Sequence, residues 1–160
     1  MKEKVLVGNT EMPAAFILVI TVILLMVTIG LLILVWKKKR KAADTIDTME
    51  GHEFEYFCAE LLRKKGFQEV EVTKGSGDYG IDILAEKEGI TFAIQCKCYQ
   101  SPVGVKAVQE AYAGRDYYDR MVGVVFTNQY FTSPAVEAAA KLKILLWDRG
   151  YLESMMEEEE

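Results

Sequence analysis

The chain has 160 residues, 51% of them hydrophobic and 27% charged, with a formal net charge of −5, which leaves room for one domain of ordinary size. Three cysteines are an odd number for a disulfide framework, and a lone histidine, His52, weakens any zinc, Ser/His or Cys/His scheme. Cys96 and Cys98, one residue apart with no second pair, lack zinc-ligand spacing.

From Ala14 to Trp36 the chain carries no charge. At ~1.5 Å rise per residue this segment can cross a hydrocarbon layer of ~30 Å. It exceeds the apolar stretch of a signal peptide and no small-residue cleavage site follows, although a cleaved signal or a buried helix is the competing reading. Lys37, Lys38, Lys39, Arg40 and Lys41 come next, against Lys2 and Lys4 on the other flank. The positive-inside rule then predicts a single-pass protein of the cell membrane, with residues 1–13 outside and the rest in the cytoplasm. The basic run suits anionic headgroups, so the lipid bilayer is an expected partner. Free cysteines suit the same reduced compartment.

A basic juxtamembrane linker is expected over 37–45, a folded domain over 46–152 and an acidic tail over 153–160. Phe54, Phe57, Cys58, Leu61 and Leu62 recur at helical spacing and predict a helix ended by Gly66. Phe67 to Thr73 reads as the first strand. Two more strands lie in GIDILAEK and GITFAIQCKCY. Val105, Val108, Ala111 and Tyr112 predict a helix beginning at Ser101 and Pro102, and Met121 to Thr127 a strand covered on both faces. Ser133 and Pro134 open a third helix through Lys141, and Ile144 to Trp147 supplies a last strand. The expected class is α/β, in the order αβββαβαβ, a mixed central sheet flanked by helices and preceded by one transmembrane helix.

If Glu88 and Gly89 make the turn between the two middle strands, Lys87 pairs with Ile90 and Asp82 stands opposite Gln95. Directly opposed residues share a face, with Cβ atoms roughly 5 Å apart, and Lys97 shares it because side chains alternate. A three-residue loop would mix these polar groups with the apolar row Phe92, Ile94, Cys96 and Cys98, which burial opposes. A carboxylate, an amide and an amine therefore converge. By alternation alone they are equally the wet face of an ordinary antiparallel sheet.

The run GSGDYGIDILAEKEGITFAIQCKCYQSPVGVKAVQEA resembles the catalytic core of Mrr-like type IV restriction endonucleases, members of the PD-(D/E)xK nuclease superfamily. The resemblance extends from Gly51 to Trp147 and includes Phe54 and Glu55, the glycines Gly75, Gly77 and Gly80, and a QxK followed by SPVGVK. It implies a restriction-endonuclease-like core and a DNA endonuclease whose chemistry is carried by Asp82, Gln95, Lys97 and Glu55. It further implies Mg²⁺, with Mn²⁺ as a substitute, held by Asp82, the Gln95 amide oxygen, the backbone carbonyl of Cys96 and Glu55.

Gln95 in place of an acid removes one negative charge, so Mg²⁺ should bind more weakly unless another carboxylate, Glu55 or Asp78, completes the shell. A nearby carboxylate keeps Lys97 an ammonium, which favours charge stabilisation over general-base chemistry. DNA contacts are expected from Lys74, Ser76, Asp78, Tyr99 and Lys106, with Lys87, Arg115 and Arg120 as further cations. Cutting both strands takes two sites, so a homodimer or higher homo-oligomer is expected. Setting aside the seven basic and two acidic residues of 1–41 leaves 12 Lys+Arg against 22 Asp+Glu, a balance of −10, whereas DNA binders are ordinarily basic. The alternative reading is a nuclease-fold module without turnover that binds DNA or assembles at the membrane.

Overall fold

The computed structural model describes residues 14–74 and 79–157, the side chains of 14–17 and 38–44 excepted. The chain divides into two units, Met1–Ala43 and Asp44–Glu160. Helix α1, Ala14–Asp47, supplies the described part of the first unit, and its last residues belong to the second. Its segment Leu18–Lys37 has a mean hydropathy of 3.2 and is long and apolar enough to cross a membrane. The hydroxyls of Thr21 and Thr28 donate to the carbonyls of Leu18 and Leu25, 2.8 Å each, so these polar groups are satisfied inside the helix. Where a linker is expected, α1 stays helical to Asp47. Lys, Arg and Ala are strong helix formers, and neither Gly nor Pro interrupts them.

In the second unit, α2 (Gly51–Lys64) starts where the Glu50 N–H donates to the Glu53 carboxylate at 3.1 Å. It stops at Gly66, whose φ of +81° lets the Phe67 N–H return to the Leu62 carbonyl at 3.0 Å. Five strands follow: β1 (Gln68–Val72), β2 (Ile83–Lys87), β3 (Ile90–Lys97), β4 (Val122–Thr127) and β5 (Ile144–Trp147), paired in that order. β1, β2 and β3 are antiparallel neighbours, whereas β3, β4 and β5 run parallel and are joined through α3 (Val105–Tyr117) and α4 (Ser133–Leu142). This is the expected mixed α/β order with one helix added, α5 (Arg149–Glu157).

The sheet is covered on both faces. Phe54, Cys58 and Leu62 of α2, with Leu152 and Met155 of α5, pack on Ile83, Ile94, Cys96, Phe126 and Trp147. Ala107, Val108 and Ala111 of α3, with Ala135 and Ala139 of α4, cover Val125 and Ile144 on the other side. Each fully buried large side chain among them contributes roughly 1.5–3 kcal/mol. The cysteines Cys58, Cys96 and Cys98 are free thiols.

Three further differences from expectation have a visible cause. α3 begins at Val105 rather than Ser101, because Val103 is drawn into a bridge with Phe131. The cap of α4 is Thr132, whose hydroxyl accepts from the Ala135 N–H at 3.4 Å, one residue before Ser133. Residues 153–157 of the expected tail are helical, since Leu152 and Met155 reach the core and Asp148 accepts from the Tyr151 N–H at 3.1 Å. Arg149 at the head of α5 pairs with Asp47 at 2.7 Å.

Candidate functional site

The hairpin has the register that its turn requires. Glu88 and Gly89 both adopt left-handed backbone, φ +53° and +77°, the conformation that closes a two-residue hairpin. Lys87 lies opposite Ile90 and Ile83 opposite Ile94, so Asp82, one residue before β2, falls at the level of Gln95. Asp82 is anchored at both backbone ends: its N–H donates to Ile94 and its carbonyl accepts from Thr73, 2.9 Å each. Along β3, Ile94 and Cys96 face the α2 layer, while Gln95 and Lys97 face α3.

On the α3 side lies an open cavity of about 590 Å³, with Tyr79, Asp82, Gln95, Lys97, Lys106 and Glu110 among its lining residues. Asp82 and Gln95 are buried, 8% and 3% exposed. One Asp82 carboxylate oxygen accepts from the Cys96 N–H at 2.6 Å and from the Gln95 amide, which also donates to the Cys96 carbonyl at 3.1 Å. The Gln95 Oε1 is buried and accepts no hydrogen bond among the described residues. Rotating that amide by half a turn would bring three oxygens together, from Asp82, Gln95 and the Cys96 carbonyl. Such a set is unfavourable alone and favourable around a hard cation.

Lys97 Nζ stands 3.0 Å from Glu110 Oε2, and Lys106 reaches the other Glu110 oxygen at 3.7 Å. Burial by itself would lower the Lys97 pKa, but the hydrogen bond and charge of Glu110, with smaller contributions from Tyr99 and Asp82, outweigh it and raise the pKa. Lys97 is therefore held as an ammonium. The Cys96 thiol is pushed well above the ordinary range, first by burial, then by Cys58 and by the charges of Asp82 and Glu55. It stays a neutral thiol, neither nucleophile nor metal ligand.

Asp82, Gln95, the Cys96 carbonyl and Lys97 thus come together. Glu55 does not line this cavity: it projects from α2, in the opposite layer, and holds His52 Nδ1 at 2.6 Å. Tyr99 and Lys106 line a recess of about 210 Å³ that shares Lys97, Lys106 and Glu110 with the main cavity. Lys74 is exposed just beyond β1, and Ser76 and Asp78 lie outside the described residues. Lys87 donates to the Lys65 carbonyl and Arg115 pairs with Asp116. Among the described residues no three His, Cys, Asp or Glu cluster to hold a metal, so a cation site rests on mixed oxygen donors. Four lining residues went unread in the sequence, Tyr79, Gln109, Glu110 and Ala113. The signal for Glu110 was its position one helical turn after Lys106, an i,i+4 pair beside a strand lysine.

Residues 46–156 match the Mrr_cat family, described as restriction endonuclease. No curated protein matches. Three solved structures share the fold. One is a protein of unknown function, AF1548, at 26% identity and TM-score 0.59, with 68% of this chain and 66% of that one covered. Another is the DNA modification-dependent restriction endonuclease AspBHI, at 18% identity and TM-score 0.59, covering 76% and 35%. The third is the MspJI restriction endonuclease in complex with a 27-mer oligonucleotide, at 20% identity and TM-score 0.55, covering 74% and 30%. The chain thus spans about two thirds of the first and about a third of the other two. With well over half of its length inside the family match, and with the mixed sheet and its polar hairpin in place, the chain belongs to the Mrr_cat restriction endonuclease family.

Proposed function

We propose that this protein is a membrane-anchored, divalent-cation-dependent endonuclease that hydrolyses DNA phosphodiester bonds and restricts foreign or modified DNA. The observation that carries the reading is the meeting of Asp82, Gln95, the Cys96 carbonyl and Lys97 on one cavity wall, with the Gln95 Oε1 left unbonded there. Mg²⁺ or Mn²⁺ fits this oxygen set, and Asp82, Gln95 and the Cys96 carbonyl would hold it. Bound there, the cation would neutralise phosphate charge and activate water. Lys97, kept charged by Glu110, stabilises the charge that grows on the phosphoryl group. Glu55, whose charge reaches Cys96 from the other layer, adds negative field to the site. Lys106 and Tyr99 in the adjoining recess, and Lys74, contact the DNA backbone.

DNA as the substrate is extended from the family and from the two restriction enzymes that share the fold. Leu18–Lys37 crosses the bilayer, with the basic run beside it on the cytoplasmic side, and a homodimer supplies the two sites that double-strand cutting needs. The test uses the full chain in detergent with supercoiled plasmid. Nicking should need Mg²⁺ or Mn²⁺, stop in EDTA and vanish in Asp82→Asn; DNA binding without nicking in either metal would instead support the non-catalytic module. Flotation with anionic liposomes reads the anchor separately.

A further inference from the structure

Beside the cavity stands a feature that the hydrolytic chemistry does not use. The rings of Tyr79 and Tyr117 are stacked, with centroids 3.6 Å apart and planes inclined by 22°. Each is 56% exposed. Tyr118 meets Tyr117 edge-on at 5.1 Å and 85°, which braces one end of the stack. Neither stacked ring belongs to a core cluster, so burial is not what holds two large aromatic surfaces face to face in water.

The backbone is shaped to hold them there. Tyr79 has a φ of +49°, uncommon for a bulky residue. Gly80 follows at φ +78°, and a Cβ on it would meet Glu110 Cβ at 3.0 Å and Gln95 Oε1 at 3.2 Å. On α3, a Cβ at Gly114 would lie 2.3 Å from Ile81 Cγ1 and 2.9 Å from the Tyr79 carbonyl oxygen. Two glycines, one on each partner, therefore let the Tyr79–Ile81 segment press onto α3. The consequence is positional: Tyr79 lines the cavity that holds Asp82, Gln95 and Lys97, and at the same time stacks on Tyr117.

We propose that the Tyr79–Tyr117 stack is a platform for an unpaired DNA base next to the scissile phosphate, so that the enzyme engages a locally opened base more tightly than a fully paired one. This rests on the nuclease reading and names its substrate class. Every base has a π-face, and stacking on an aromatic side chain is sequence-tolerant. A base inside a duplex has both faces covered by its neighbours, whereas an unpaired base can add itself to the stack from the Tyr79 end. The charge balance favours such a contact. The part of the chain after residue 41 has 12 Lys+Arg against 22 Asp+Glu, so overall phosphate attraction is a weak source of affinity, which a salt-independent contact would supplement. Platform and cavity wall are joined through one residue, Tyr79, so a base stacked there has its own phosphate beside the polar hairpin.

The test uses the full chain in detergent with EDTA present, so that binding is read without cleavage. Fluorescence anisotropy compares a labelled single-stranded oligonucleotide with its paired duplex, and 2-aminopurine in the same strand reports stacking. The wild type should bind the single strand at least about fivefold more tightly than the duplex and quench 2-aminopurine. The double variant Tyr79→Ala/Tyr117→Ala should lose about tenfold or more of the single-strand affinity while its duplex affinity stays unchanged. Tyr79→Phe/Tyr117→Phe keeps both rings and should bind like the wild type, which separates ring stacking from hydroxyl contacts and from misfolding. Equal affinity for both DNA forms, single-strand affinity unchanged by the alanines, or the same loss in the phenylalanine variant would each overturn the platform. Plasmid nicking with Mg²⁺ is scored independently: ring-dependent single-strand binding without nicking leaves the platform standing and removes the nuclease, and nicking with no ring dependence does the reverse.

Discussion

The two faces of β3 do different work from alternate residues of one strand. Ile94 and Cys96 point into the α2 layer, where Phe54, Cys58 and Leu62 close a dry core. Gln95 and Lys97 point at α3, where they line a cavity, Lys97 meets the Glu110 carboxylate and the Gln95 Oε1 stays unbonded. Cys96 belongs to both: its thiol is core, yet its N–H and carbonyl bind Asp82 and Gln95. A site built this way has its side chains set by a rigid strand, and the core on one face determines how accurately the other face is held. The faces should therefore respond to different measurements.

The largest separation is expected from Asp82→Asn. The amide keeps the size and one acceptor for the Cys96 N–H but loses the charge, so nicking should fall about a thousandfold or more with little change in melting temperature. A large loss of stability instead would make Asp82 a structural residue. The mirror experiment is Ile94→Ala on the dry face. Truncating a buried Ile costs about 2–5 kcal/mol, so the melting temperature should drop sharply, while the fraction that remains folded at low temperature cuts at near the wild-type rate. A proportionate loss of nicking in that folded fraction would show that the two faces are not separable.

Gln95→Glu sharpens the comparison from inside the wet face. It sets a second carboxylate against Asp82, and like charges sharing a site oppose joint ionisation. Without metal the variant should melt roughly 5 °C below the wild type, and Mg²⁺ should raise its melting temperature by more than it raises that of the wild type. Equal Mg²⁺ shifts in the two proteins would remove the cation from this position.

The hairpin was legible because two local rules act together: an Glu88–Gly89 turn sets the register, and a period of two then assigns every side chain to a face. Asp82, Gln95 and Lys97 were readable on those grounds. Glu110 was not: its i,i+4 spacing from Lys106 marks only a helix pair, and its meeting with Lys97 depends on how α3 packs over the sheet, which no local spacing records. Glu55 shows the same limit from the other side. Its helix was legible from Phe54, Cys58 and Leu62, but the layer that helix joins is a tertiary fact, and it places Glu55 with His52 rather than in the cavity. The closing helix was hidden by the glutamates around Leu152 and Met155, two apolar residues that become decisive only when a core is there to receive them. Tyr79 lay in a glycine-rich turn, where an aromatic looks incidental until Gly80 and Gly114 show the loop fitted against α3.

The smallest predicted effect at neutral pH concerns Glu110, and its sign decides what Lys97 does. In the folded protein burial lowers the Lys97 pKa, Glu110 more than offsets this, and the net shift is upward. A raised folded-state pKa means that the pair's stability contribution is fully present below the unfolded lysine pKa of ~10.4 and is lost as pH rises through the folded value. In Glu110→Gln the offsetting carboxylate is gone and burial remains, so the Lys97 pKa falls. If the ammonium stabilises phosphoryl charge, nicking by the variant should stay within about tenfold of wild type at pH 7 and begin its alkaline decline at lower pH than wild type. If Lys97 were instead a general base, the same substitution would release the amine more easily and raise the rate between pH 7 and pH 9, in the manner expected of a base brought nearer the working pH. Rate profiles of the two proteins across that range, at constant Mg²⁺, therefore distinguish the roles by direction alone, and superimposable profiles would disconnect Lys97 from Glu110.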